Sequence, residues 1–102
     1  MSKLHTVNKS PFENRSLESC LAHASDGSAL LLMEDGVFGA LRGTPFETKV
    51  SGATKKLSVY VLGPDLEARG MQAQNVLDGV KVVDYAGFVD LAVQHDCVQS
   101  WL

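Results

Sequence analysis

The chain has 102 residues, 45% of them apolar and 21% charged, with a formal net charge of -3, enough for one hydrophobic core and too little for two. It lacks the dense Lys/Arg block of a phosphate-tracking surface and any apolar stretch near the ~20 residues of a membrane helix, so direct nucleic-acid binding and membrane insertion are excluded. The aliphatic share is high for so small an interior, and some of that surface is expected to face partner proteins.

Residues 1–102 therefore read as a single domain. Met1-Ser2-Lys3 leads directly into strand-like sequence instead of a secretory apolar region, which points to the cytoplasm. The first strand is Leu4 to Val7. Leu17, Cys20, Leu21 and Ala24 then follow the spacing of one helix face, and Asp26-Gly27 supplies a stop. The start of this helix has two solutions. Ser10-Pro11-Phe12-Glu13 has the form of a capping box, while Ser16 would cap a shorter helix with Cys20 near its first turn.

Ala29 to Met33 has no polar alternation, as a strand covered on both faces requires. A short helical turn is expected at Val37 to Leu41. A second capping-box tetrad, Thr44-Pro45-Phe46-Glu47, opens a helix running towards Lys55. Strands follow at Leu57 to Leu62 and Val80 to Val83, separated by a short helix from Pro64 to Arg69 that Gly70 closes. Asp84 caps a last helix that buries Phe88, Leu91, Ala92 and His95, and the chain runs out through Cys97 to Trp101 and Leu102. Strands alternating with helices predict an α/β fold, a mostly parallel sheet of four to five strands flanked by helices.

No dinucleotide fingerprint follows the first strand, where Asn8-Lys9-Ser10-Pro11 stands, and neither a P-loop nor a GxSxG elbow occurs. Glu34 and Asp35 lie at the carboxyl end of the second strand, but sequence neighbours there point in different directions and Asp35-Gly36 is an ordinary turn. Arg42, Lys49, Lys55 and Lys56 read as a solvated face. Cys20 and Cys97, the two cysteines, form no CxxC pair and no metal-ligand cluster, so reduced thiols, no metal and no cofactor are expected.

Cys20 is the one residue with plausible chemistry of its own. A thiolate near a helix N-terminus is stabilised by unsatisfied N–H groups, and His23, three residues on, is placed to favour it further. The opposing reading makes Cys20 a small buried hydrophobe on the Leu17/Leu21/Ala24 stripe.

Leu4-His5-Thr6-Val7-Asn8-Lys9-Ser10-Pro11-Phe12, Leu30-Leu31-Leu32-Met33-Glu34-Asp35-Gly36-Val37, the stretch from Val59 through Gly63-Pro64-Asp65 to Gly70, and the stretch from Val82 through Asp84-Tyr85 to Leu91 with the terminal Trp101-Leu102 together resemble the DsrH/TusB family. The resemblance implies a small Rossmann-like domain that assembles with DsrE-like and DsrF-like subunits into a heterohexamer and meets a small sulfur carrier of the DsrC type. In that family, TusB proteins of the tRNA 2-thiouridine relay generally lack a first-helix cysteine, whereas DsrH proteins of sulfur oxidisers carry one where Cys20 stands. The expected function is thus a subunit of a persulfide sulfurtransferase complex in dissimilatory sulfur oxidation, with Cys20 as its sulfur-carrying thiol. An architectural subunit without its own chemistry and a TusB-type relay subunit are the alternatives.

Overall fold

The computed structural model describes residues 3–102. Its sheet is parallel throughout, with five strands in the order β4-β3-β2-β1-β5. The strands are β1 (Lys3–Val7), β2 (Ala29–Leu32), β3 (Ser58–Leu62), β4 (Val80–Val83) and β5 (Cys97–Trp101). The helices are α1 (Ser16–His23), α2 (Glu47–Ala53), α3 (Gly63–Ala68) and α4 (Tyr85–Gln94). The expected α/β class and parallel sheet are both found, with β5 as the strand that apolar patterning did not single out.

Both sheet faces are apolar, which is why the strands read as continuous hydrophobic runs. His5, Val7, Leu30, Leu32, Val59, Val61 and Val80 share one face. All but His5 belong to a core with Leu17 and Cys20 of α1, Val50 of α2 and Leu66 of α3. Leu4, Ala29, Leu31 and Leu62 turn to the other face and pack beneath Leu91, flanked by Phe88 and Ala92 of α4. This division follows from the strand order. Strands β2, β3 and β4 are added successively to one side of β1, and the last connection then carries the chain from one sheet edge to the other, placing α4 on the face the earlier helices leave free.

Local chemistry sets the element boundaries. Ser10-Pro11-Phe12-Glu13 makes an isolated turn, with the Glu13 amide donating to the Ser10 carbonyl at 3.1 Å. A helix started there would be solvent-exposed from Phe12 to Arg15. The chain restarts instead where the Asn14 side chain accepts from the Ser16 amide (2.7 Å) and from its hydroxyl. The second tetrad also forms a turn, with Phe46 N–H donating to Thr44 Oγ1 (3.2 Å) and Gly43 N–H to Glu47 Oε1 (2.7 Å), and α2 begins at Glu47. The two tetrads meet through Phe12 and Phe46, whose rings pack edge to face at 5.1 Å.

After β2 the chain forms a 3-10 segment, Glu34–Ala40, longer than the turn expected at Val37 to Leu41. Gly36 permits it to lie against β1, because a Cβ at that position would stand 2.2 Å from the Val7 carbonyl oxygen. Helix α3 ends in a Schellman arrangement, with Gly70 at φ 76°, its amide donating to the Glu67 carbonyl (3.0 Å) and the Met71 amide to that of Leu66 (2.9 Å). Helix α4 is capped as expected, Asp84 Oδ1 accepting from the Gly87 amide at 2.8 Å.

Candidate functional site

Helix α1 presents Leu17 and Cys20 to the sheet because they are one turn apart on its apolar side. Cys20 is its fifth residue, beyond the first turn, so the unsatisfied amides of the helix start do not serve its sulfur. The residue is 0% exposed, within the core that includes Leu17, Leu30 and Val59. Burial pushes the thiol up to about 12. A thiolate cannot be solvated there, and desolvation is the sole cause of the shift.

His23 does not act as the expected partner of that thiol. It is exposed at the end of α1, its Nδ1 lies 2.7 Å from the Ser19 carbonyl, and its ring tilts against Trp101 at 6.1 Å. Trp101 lies on β5 and donates its indole N–H to His5 Nδ1 across 3.1 Å. His5 is buried within β1, which lowers its pKa, with Lys3 adding a smaller effect in the same direction. His95 follows α4 with Nδ1 at 2.7 Å from the Leu91 carbonyl and is half-buried, less enclosed than the expected place on the helix's buried side. Sequence reasoning treated His5, His23 and Trp101 separately. Only the pairing of β5 with β1 brings them together, and that pairing left no mark in the apolar pattern.

At the carboxyl edge of β2, Glu34 is held through its backbone and Asp35 through its carboxylate. The Glu34 amide donates to Asp65 Oδ2 at 2.6 Å, and Arg69 Nε donates to Asp35 Oδ1 at 2.9 Å. Glu34 sits at φ 50°, and the bond to Asp65 helps hold this left-handed residue. In the basic middle segment, Arg42 pairs with Asp78 at 2.6 Å and Lys49 with Glu18 at 3.3 Å. Among the described residues no group of His, Cys, Asp and Glu could hold a metal ion, and no helix is long and apolar enough to cross a membrane.

A different surface stands out on α4. Tyr85, Val89 and Val93 recur at four-residue spacing on its outer side, and all are exposed, Val93 at 80%. Val98 of β5, on the same sheet face, is exposed as well, and so is Leu102. A single helix cannot cover five strands, so this side of the molecule keeps an apolar surface.

These features define a small parallel α/β domain with a buried thiol and an uncovered apolar face. The family model described as "DsrH like protein" matches residues 9–98, and the chain belongs to that family. Similar proteins include Protein TusB of Pectobacterium parmentieri, 38% identical over 98 residues that cover 96% of this chain and 99% of the relative. Protein TusB of Escherichia coli strain K12 is 36% identical with the same coverage. Among solved structures, the ychN protein from E. coli superposes with a TM-score of 0.81 at 21% identity, covering 98% of this chain and 99% of that one. Protein MTH1491 from Methanobacterium thermoautotrophicum gives 0.70 at 17% identity, covering 91% of each. These two likenesses concern the fold alone.

Proposed function

We propose that this chain is a non-catalytic subunit of a cytoplasmic TusB-type sulfur relay, the kind that supplies sulfur for tRNA 2-thiouridine, and that it completes its partners' site instead of carrying sulfur itself. The observation that carries this reading is the burial of Cys20. A persulfide carrier attacks its donor as a thiolate along an open approach, and a thiol at about 12 is ionised in only about one molecule in 10⁵ at pH 7.

The first-helix cysteine is the feature that favours the sulfur-oxidation branch. A cysteine packed as a small hydrophobe lacks the chemistry on which that distinction rests, and the relatives bear the TusB name. The apolar outer side of α4 supports assembly with sister subunits of the DsrE-like and DsrF-like kind, of which the DsrE-like one would hold the principal sulfur-accepting cysteine and meet a DsrC-type carrier.

The test uses a Cys97→Ser background, so that Cys20 is the one thiol present. After incubation with a persulfide donor, intact-mass measurement is expected to show no added sulfur. In the reconstituted complex, Cys20→Ala is expected to leave sulfur transfer at the wild-type rate. A sulfur adduct on Cys20, or loss of transfer from an assembled Cys20→Ala complex, restores the carrier role.

A further inference from the structure

Beside α1, on the sheet face that holds Cys20, lies a cavity of about 240 Å³ lined by Lys3, His5, His23, Ser25, Gln99 and Trp101. Strand register assembles it. His5 and Gln99 are paired neighbours on β1 and β5, Lys3 and Trp101 extend the same face at either end, His23 ends α1, and Ser25 follows that helix's C-cap.

The hydrogen bonds around it leave donors in excess. Trp101 donates to His5 Nδ1, which must therefore carry a lone pair, so the proton of the neutral ring is on Nε2. That Nε2 is enclosed by protein and without a hydrogen-bond partner, so the ring itself offers the cavity no donor. Lys3 Nζ lies 3.4 Å from Gln99 Oε1, which commits the oxygen of that amide and leaves its NH2 group to donate. Ser25 contributes a hydroxyl. No Asp or Glu among the described residues lines the cavity. A cation, a donor-rich wall and the absence of a lining carboxylate select for a ligand with negatively charged oxygen atoms, and the volume limits it to a few heavy atoms.

We propose that this cavity binds a small oxyanion, a carboxylate or a tetrahedral anion of the phosphate and sulfate class. Lys3 supplies the charge, and Ser25 and Gln99 supply donors. The site is independent of Cys20 and of the relay assignment.

Trp101, the chain's single tryptophan, forms one wall and serves as the reporter. The protein is titrated separately with acetate and with inorganic phosphate at constant ionic strength while indole fluorescence is followed. A saturable change is expected with at least one of them, and the two arms separate a carboxylate from a tetrahedral anion. Lys3→Gln is expected to weaken it at least tenfold, while Lys81→Gln, which removes a cation from the opposite sheet face, leaves it unchanged. Should Lys3→Gln not fold, Gln99→Leu provides the same comparison, with the Trp101 indole N–H resonance as the second readout. A response linear in anion concentration, or one equal in wild type and both cavity variants, overturns the proposal.

Discussion

The two faces of the sheet are built to different degrees of closure. One is covered by α1, α2, α3 and the 3-10 segment, whose core closes round a thiol that is 0% exposed. The other has α4 alone, with a core confined to the residues directly beneath that helix and exposed valines beside it. The lesson is that cysteine chemistry and partner binding are segregated. Cys20 is packed into the core of its face and does not line the cavity at the edge of that face, while the face with apolar surface to offer carries no thiol at its centre.

That contrast is most sharply tested by Leu17→Ala, which removes a side chain 1% exposed from the Cys20 face. A cavity there is expected to cost about 2–5 kcal/mol in urea unfolding, and a loss below about 1 kcal/mol would mean that this face is loosely packed. Cys20→Ser comes next. It puts a hydroxyl among aliphatic side chains and is expected to cost about 1–3 kcal/mol, whereas an exposed cysteine would tolerate serine with little change.

The same burial predicts a pH dependence. The folded-state pKa of Cys20 lies above its ordinary value, so the folded chain binds the proton more tightly than the unfolded one. Its contribution is fully present below pH 9.0 and declines as pH rises from there towards about 12. The fall in stability across that window is expected to be steeper in wild type than in Cys20→Ala, and equal slopes would place the thiol in contact with solvent. The smallest effect on the isolated chain belongs to the open face. Val89→Ser with Val93→Ser is expected to shift unfolding by about 0.5 kcal/mol or less yet to weaken co-purification with the sister subunits. Unimpaired assembly would assign the partner surface elsewhere.

Much of this architecture was legible in sequence because buried parallel strands leave continuous apolar runs, as in Leu30-Leu31-Leu32, and because Asp84 and Gly70 mark helix ends with specific hydrogen bonds. Strand β5 was not. Cys97 to Trp101 is an edge strand whose residues are nowhere fully buried, so it lacks the apolar run that announces its neighbours. The Ser10 tetrad left the helix start open for a related reason: its turn chemistry is real, but no buried side follows to continue the helix, and the shorter start at Ser16 is the one found. At the candidate site, the spacing of Cys20 and His23 was readable, while the direction each side chain takes depends on the sheet beneath α1 and on Trp101. The cavity on β1 and β5 could not be read locally at all, since strands far apart in sequence build it.

The pairing of β5 with β1 also bears on how the molecule is made. Thr6 and Ser100, 94 positions apart, share a 3.3 Å hydrogen bond between their hydroxyls, so β1 lacks its second neighbour until that distant segment has emerged. Contacts of such long sequence separation are slow to form. During that interval β1 offers a bare strand edge, the kind of surface that pairs with other chains if left open.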